Sequence, residues 1–140
     1  MDDFAIATQC RDTMYEVDTA VQALNISVEI TGVGRAEARL EIQPEMLNGY
    51  DVCHGGYLFM LADTAFAYAC NSYNKVTVAA AASIEFLQSA SVGDQLVAIA
   101  TERRRGGRTG IYDVVVSNQD GEEVALFRGR SHSKQDAMFS

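Results

Sequence analysis

The residues from Asn48 to Asn71, NGYDVCHGGYLFMLADTAFAYACN, decide how the rest of the chain folds. They begin as a polar loop containing glycines and continue as an apolar run that predicts a helix. From Tyr57 to Cys70 the run leaves no polar face, and a helix of this kind is buried on all sides. We therefore expect the remaining elements to pack around it.

Asp63 is the one carboxylate in the middle of this helix. Aspartate is a poor residue for a helix interior and is rarely buried without a partner. A charge in such a position lowers stability unless it is paired or serves a function. Taken alone, Asp63 is best interpreted as a capping or paired structural carboxylate, with catalysis as the alternative.

The composition narrows the class of protein. The 140 residues suit one domain, residues 1–140, and 48% hydrophobic residues exclude a disordered chain. A net charge of −8 argues against nucleic-acid binding, which requires a basic surface. Cys10, Cys53 and Cys70 form no CxxC pair or zinc spacing, so we expect a cytoplasmic location. No signal peptide is visible, and the apolar run is too short to span a bilayer.

The segments before the central helix predict a helix and a hairpin. Apolar residues recur at helical spacing over Phe4–Leu24, with Asp2 or Asp3 as the cap. Residues 26–33 are rich in β-branched side chains, and residues 35–42 alternate charged and apolar without exception. These two patterns predict neighbouring antiparallel strands.

Four strands are predicted after the central helix: Val76–Leu87, Gln95–Arg104, Ile111–Ser117 and Val124–Ser131. The alanines from Ala79 to Ala82 predict close packing of a large neighbour, most simply the central helix. An antiparallel sheet that follows one apolar helix must wrap around it to bury it. The expected fold class is therefore α+β in the hotdog arrangement: a curled antiparallel sheet around one long central helix, with an extra N-terminal helix.

The loop and the helix together resemble a known family. An Asn, Asn48, stands seven residues before the first glycine of His54-Gly55-Gly56, and Asp63 stands eight residues after it. This pattern resembles the hotdog-fold acyl-CoA thioesterases, most nearly those of the phenylacetate-degradation (PaaI) type. The likeness extends from Gln43 to His132 and includes the segments GIYD at 110–113 and ALFRG at 125–129.

The resemblance implies hydrolysis of an acyl-CoA thioester, with an aryl-acetyl-CoA such as phenylacetyl-CoA or its hydroxylated derivatives as substrate. By position, Asp63 matches the catalytic carboxylate, and Gly55 matches the glycine whose backbone N–H binds the thioester oxygen. Asn48 and His54 match loop residues that place substrate and water. The family forms dimers with a continuous sheet, usually paired as tetramers. No cofactor is implied, because CoA is part of the substrate.

The residues leave parts of the chemistry open. Asp63 can act as a general base on water, or it can attack the carbonyl directly to give a mixed anhydride. His54 is a helix-capping residue or has a supporting role, and Cys53 is interpreted as a packing residue. Many relatives carry a Ser or Thr on the strand facing the carboxylate. At the matching strand position this chain has Ala79 or Ala80, and Thr77 and Ser83 are nearby but do not match that position. The role of the strand Ser or Thr is therefore unassigned.

A run of basic residues is the second candidate site. Arg103, Arg104, Arg105 and Arg108 are four of eleven basic residues and surround Gly106-Gly107. The simpler interpretation is a solvated hairpin loop. The alternative is a site for the 3′-phosphate and pyrophosphate of CoA, which arginine binds well. Gly107 resembles part of the glycine-containing loop beside CoA in relatives, and Arg128 and Arg130 are secondary candidates. No metal site is expected, because His54 and His132 have no ligand cluster around them.

Helix geometry predicts that the site needs two chains. Eight residues separate Gly55 and Asp63, which is ~12 Å along a helix. Both groups must come within about 3 Å of one substrate carbonyl. We therefore expect a homodimer as the minimal active unit, whose sites combine Asn48, His54 and Gly55 of one subunit with Asp63 of its partner. That such dimers pair into a homotetramer is implied by the family resemblance alone.

Three other functions are compatible with a hotdog fold. A hotdog dehydratase would carry a different helix pattern, which is absent. A non-catalytic acyl-CoA-binding or regulatory protein would have no need of a buried Asp63. A broad-range medium-chain acyl-CoA thioesterase differs only in the acyl group, which the sequence does not specify.

Overall fold

A computed structural model describes all 140 residues. Two helices, α1 (Asp3–Val17) and α2 (Thr19–Ala23), precede strands β1 (Ser27–Gly32) and β2 (Arg35–Glu41). A short 3-10 turn, Pro44–Met46, leads into the central helix α3 (Gly55–Cys70). Strands β3 (Thr77–Phe86), β4 (Gln95–Gly106), β5 (Thr109–Ser117) and β6 (Glu123–Ser133) complete the chain.

The six strands form one antiparallel sheet in the order β1-β2-β4-β5-β6-β3. The inner face of the sheet packs on α3, and one cluster of 29 buried residues fills the space between them. The side chains in this core alternate with outward-facing ones along β2, β4, β5 and β6, as expected for strands with one wet face. The predicted hotdog arrangement and the hairpin of β1 and β2 are confirmed.

The N-terminal helix is confirmed, but its predicted single span of Phe4–Leu24 is wrong. The helix breaks at Asp18, which lies between α1 and α2. The Asp18 side chain accepts a hydrogen bond from the backbone N–H of Val21 at 3.4 Å and another from the Tyr68 hydroxyl at 2.9 Å. Tyr68 is 1% exposed, and a buried tyrosine hydroxyl requires a partner. The break thus lets the Asp18 carboxylate cap α2 and also accept the hydrogen bond of Tyr68, which lies on the central helix.

The central helix is not buried on all sides, which corrects the sequence-based prediction. Gly56 is exposed, Phe59 is 37% exposed, and Asp63 and Ala67 are half-buried. These four residues recur at helical spacing and form a single face, called here the open stripe of α3. The sheet therefore covers most of the helix but leaves this stripe uncovered within one chain.

Strand β3 forms one edge of the sheet and pairs only with β6. All of Val78–Ser83 is exposed, so the predicted packing of α3 on the alanines does not occur within the chain. At the opposite edge, the Arg11 side chain of α1 donates to the Val28 carbonyl of β1 at 3.0 Å. Strand β3 has no comparable cover, and long uncovered apolar edge strands are templates for pairing with another chain.

None of the helices combines the length and the apolar character needed to cross a bilayer.

Candidate active site

The loop before α3 is organised by Asn48. Its side-chain oxygen accepts hydrogen bonds from the backbone N–H groups of Tyr50 at 2.8 Å and Val52 at 3.4 Å. Its backbone N–H donates to the Val52 carbonyl at 2.8 Å, and Asp51 adopts a positive φ of 61° to close the turn. The Asn48 oxygen is therefore used within the loop, and its side-chain amide N–H groups donate to no other group of the chain.

His54 is the N-cap of α3. Its ring nitrogen Nδ1 accepts a hydrogen bond from the backbone N–H of Gly56 at 3.1 Å, so Nδ1 carries no proton while the cap is formed. The backbone N–H of His54 donates to the Met46 carbonyl at 2.8 Å, which fixes the entry of the chain into the helix. The capping interpretation of His54 is confirmed by these contacts.

Gly55 presents the free donor at the start of α3. The N–H groups at the first turn of a helix have no partner within the helix. That of Gly56 binds His54 Nδ1, and that of Tyr57 donates to the His54 carbonyl at 3.0 Å. The N–H of Gly55 makes neither kind of bond, and the positive end of the helix dipole lies at the same place. An oxyanion is the ligand that such a donor favours.

Asp63 lies on the open stripe of α3, more than two turns further along the helix. It is half-buried, and burial alone raises the pKa of its carboxyl above the ordinary 3.8, with no hydrogen bond or ion pair opposing the shift. The capping or paired structural carboxylate that Asp63 alone suggested is not what the structure shows. A desolvated carboxylate without a partner is a functional-site candidate.

Strand β3 carries two hydroxyl side chains, Thr77 and Ser83. Thr77 is 7% exposed, and its hydroxyl binds the Ser133 hydroxyl at 2.9 Å and the Lys75 carbonyl at 2.9 Å. Ser83 pairs with Arg128 of β6 and lies on the outer face of the sheet, away from α3. Within the chain, one hydroxyl is therefore engaged and the other faces outward, and the role of the strand Ser or Thr stays unassigned.

Two of the candidate arginines are paired with an acidic residue. Arg128 donates to both oxygens of Asp113, at 2.6 Å and 2.9 Å, and Arg103 Nε lies 3.4 Å from the same carboxylate. The hydrogen bonds from Arg128, followed by the charges of Arg128 and Arg103, hold the pKa of Asp113 below its usual value. These two arginines are therefore partly neutralised before any ligand arrives.

The remaining arginines of the run differ from one another. Arg105 lies over the Tyr73 ring at 3.7 Å, whereas Arg104 and Arg108 are exposed and make no ion pair. Strand β4 continues to Gly106, so Arg103, Arg104 and Arg105 lie on a strand, and the turn is reduced to Gly107-Arg108. The predicted strand Gln95–Arg104 is confirmed and runs two residues further, so the alternative interpretation of the run as a hairpin loop is wrong for these three residues.

Arg104 joins Arg130 on the outer face of the sheet. The register places Arg104 opposite Ile111, and Ile111 opposite Arg130, so both arginines flank one apolar side chain. Arg130 makes no ion pair and lines a shallow groove with Ala81 and Ser83 of β3. Two unpaired positive charges therefore lie together on the outer face, Arg130 on the strand next to β3 and Arg104 two strands further from that edge.

Comparison with known proteins identifies the family. Residues 50–125 match the thioesterase superfamily model, a range that includes Gly55 and Asp63. The chain belongs to the thioesterase superfamily. It is 48% identical to the acyl-coenzyme A thioesterase PaaI of Escherichia coli K12 over 90% of each chain. It is also 37% identical to a putative esterase of Archaeoglobus fulgidus, over 85% of this chain and 77% of that one.

Solved structures of other proteins share the architecture. The E. coli PaaI protein from the phenylacetic acid degradation operon superposes with a TM-score of 0.94 at 44% identity, over 97% of this chain and 99% of that one. The Streptococcus mutans protein smu.793 bound to acetyl CoA has a TM-score of 0.76 at 28% identity, over 81% of this chain and 91% of that one. The predicted resemblance to PaaI-type thioesterases, and the prediction of a thioesterase enzyme, are confirmed.

One residue beside Gly55 was missed in the sequence. A Cβ added at Gly55 would lie 3.0 Å from Cζ of Phe86, at the far end of β3. Phe86 and Gly55 also line a groove together with Val52 and Leu58. Phe86 ends an apolar strand without any motif around it, so only the packing of β3 against the start of α3 shows its position.

Proposed function

We propose that this thioesterase hydrolyses acyl-CoA thioesters to a free acid and CoA, with aryl-acetyl-CoA esters such as phenylacetyl-CoA or its hydroxylated derivatives as the substrate class. The proposal is supported by the similarity to E. coli PaaI, which is an acyl-coenzyme A thioesterase from the phenylacetic acid degradation operon. It is also supported by the similarity to the S. mutans protein that binds acetyl CoA.

One observation carries the proposal: a free backbone donor at Gly55 and an unpaired, half-buried carboxylate at Asp63 occur on the same helix. In the proposed reaction the Gly55 N–H binds the thioester oxygen and stabilises the negative charge that develops on it. Loss of one such donor typically raises the barrier by about 3–4 kcal/mol. The positive end of the α3 dipole adds to this stabilisation.

Asp63 supplies the second half of the reaction. As a general base it takes a proton from water, whose oxygen attacks the thioester carbon, and the C–S bond then breaks to release the CoA thiolate, which takes up a proton. As a nucleophile it forms the new C–O bond itself and releases the same thiolate, and water then hydrolyses the anhydride. Both routes require Asp63 to be ionised, and its raised pKa makes the carboxylate a stronger base than an exposed aspartate.

We further propose a homodimer as the minimal active unit, assembled into a homotetramer. The uncovered strand β3 and the open stripe of α3 are both on the side of the chain that such a partner would cover. A two-fold axis beside β3 would pair two copies of this strand and place two α3 helices antiparallel. Gly55 of one subunit would then face Asp63 of its partner, with Asn48 and His54 beside Gly55.

The arginines of the outer face and of the turn between β4 and β5 are proposed to bind the phosphates of CoA. Arg104, Arg108 and Arg130 have no acidic partner in the chain and are therefore the strongest candidates. Arg103 is weakened by Asp113 and Arg105 by its stacking on Tyr73, and Gly107 shapes the turn with a φ of +60°. No cofactor is proposed, because the reaction as written requires only water.

A cytoplasmic location is part of the proposal. All three cysteines are buried free thiols, and proteins of oxidising compartments more often use their cysteines in disulfides.

The test is a spectrophotometric assay of CoA release with a thiol reagent. The panel contains phenylacetyl-CoA, a hydroxyphenylacetyl-CoA, octanoyl-CoA and acetyl-CoA, and Asp63→Asn serves as the negative control. The proposal predicts hydrolysis with the highest kcat/KM for the aryl-acetyl esters. A highest value for octanoyl-CoA would favour the medium-chain alternative, and binding without hydrolysis of any ester would favour a non-catalytic acyl-CoA-binding protein.

A further inference from the structure

Phe86 packs directly on the residue that carries the free donor. Three of its ring carbons lie 3.0, 3.2 and 3.6 Å from the place where a Gly55 side chain would begin. At 3.0 Å a Cβ would force its neighbour to move, so a glycine at this position is what allows the ring to lie against the start of α3. The Phe86 ring of β3 thus packs against the space that a side chain at position 55 would occupy.

Within one chain, Phe86 is nevertheless open to solvent. It is the last residue of β3, and 54% of it is exposed. A large aromatic side chain normally buries most of its surface, because this is where its contribution to stability arises. Leu87, the next residue, is 48% exposed. An exposed apolar surface beside a functional group marks a place where a ligand or partner binds.

The ring forms one side of a groove whose other side is the start of α3. Leu58 of the second turn of α3 and Val52 of the preceding loop line this groove opposite Phe86. Gln88 and Ser89 also line it, but most of the lining is apolar and no charged side chain takes part. The groove therefore suits an apolar group that is attached to an atom held at the Gly55 N–H.

We propose that Phe86 is a specificity-determining residue that packs against the acyl group of the substrate. This inference rests on the function proposed above. With the thioester oxygen at the Gly55 N–H, the acyl carbon chain begins within van der Waals reach of the Phe86 ring. A flat aryl group attached through one methylene can stack on that ring or meet its edge, whereas an acetyl group is too short to do so.

The proposal predicts that Phe86→Ala loses activity selectively on the aryl-acetyl ester. The kcat/KM for phenylacetyl-CoA falls by about tenfold or more, which is the size of effect that an apolar pocket contact has on substrate discrimination. The kcat/KM for acetyl-CoA changes by less than about threefold. Phe86→Leu keeps apolar bulk without a flat ring and gives an intermediate ratio.

Phe4→Ala is the matched control, because Phe4 is 49% exposed and lies on α1, away from the groove. Its acyl preference is expected to equal that of the wild type. Thermal melting of each variant verifies that it is folded. An equal loss of kcat/KM for both esters in Phe86→Ala would overturn the inference, because it would show that the ring contacts the shared CoA portion or acts only through the fold.

Wild-type kcat/KM values for both esters in Phe86→Ala would overturn the inference as well. Both results leave the proposed function intact, because the wild type would still hydrolyse acyl-CoA. Failure of the proposed function has a different signature, namely a wild type without activity on any ester of the panel.

Discussion

Gly55 and Asp63 lie on the same helix, and eight residues separate them, so ~12 Å of helix axis lies between the free donor and the unpaired carboxylate. An aspartate side chain is too short to cross that distance. If both groups act on one thioester, they must come from two chains. The uncovered edge strand β3 and the open stripe of α3 provide the surfaces on which a second chain can assemble.

Asp63→Asn is expected to lower kcat by about 10²–10⁴-fold, because it keeps the shape of the side chain and removes the base or nucleophile. Asp12→Asn is the matched control, since Asp12 is an exposed carboxylate on α1. The measurement is steady-state CoA release with phenylacetyl-CoA. Wild-type kcat in Asp63→Asn would remove Asp63 from the mechanism.

The same substitution is expected to raise stability at neutral pH. Burial raises the pKa of Asp63, so the folded state disfavours the ionised carboxylate. This cost is fully present above the folded pKa and disappears as the pH falls below the ordinary value of 3.8. Melting temperatures of Asp63→Asn and wild type should therefore differ most near pH 7 and converge toward acid pH. A wild type more stable than the variant at pH 7 would contradict an unpaired carboxylate.

A lysine at the middle of β3 should weaken the dimer. Ala80 is exposed and lies at a β-bulge outside the register with β6, so Ala80→Lys leaves that pairing intact. Near a two-fold axis the two introduced charges would repel each other. Light scattering after size exclusion should show smaller particles, and activity should fall on dilution. Ser27→Lys on the opposite edge strand β1 is the control, and equal effects of both variants would contradict assembly through β3.

Arg104→Glu should raise KM about fivefold or more, equivalent to about 1 kcal/mol, with kcat nearly unchanged, because it removes binding that is equal in ground and transition states. Arg103→Glu should have a smaller effect, because Arg103 already faces Asp113. Repeating the assay with the dephospho-CoA ester shows whether the 3′-phosphate is the group bound. Arg39→Glu on β2 is the control. Unchanged KM in Arg104, Arg108 and Arg130 variants would exclude these arginines from CoA binding.

Local sequence patterns predicted the helices and strands of this fold more accurately than they predicted which elements contact one another. The strict alternation over residues 35–42 and the apolar run after Gly56 predicted β2 and α3 closely. The break at Asp18 depends on Tyr68, which is 50 residues away along the chain, so helical periodicity could not predict it. The exposure of Ala79 to Ala82 depends on the position of β3 at the edge of the sheet, which strand patterns do not specify.

The candidate site shows the same difference between features set by local sequence and features set by contacts between distant residues. The motif residues Asn48, His54 and Gly55 cluster because they are close in sequence and meet at one helix start. Phe86 joins them from another strand, and nothing local to residue 86 marks it. Likewise, Arg103 is neutralised by Asp113 because β4 pairs with β5. A run of arginines in the sequence does not show which of them lack an acidic partner.

Complementation between two inactive variants tests the composite site most directly. One variant is Asp63→Ala, and the other carries a disabled Asn48–Gly55 loop; the two are co-expressed with different affinity tags and purified as mixed dimers. A mixed dimer holds one site with both defects and one intact site. The account predicts recovery of CoA release from phenylacetyl-CoA, up to half the wild-type rate per mixed dimer. Mixed dimers that form but show no recovered activity would contradict it, because each site would then lie within a single chain.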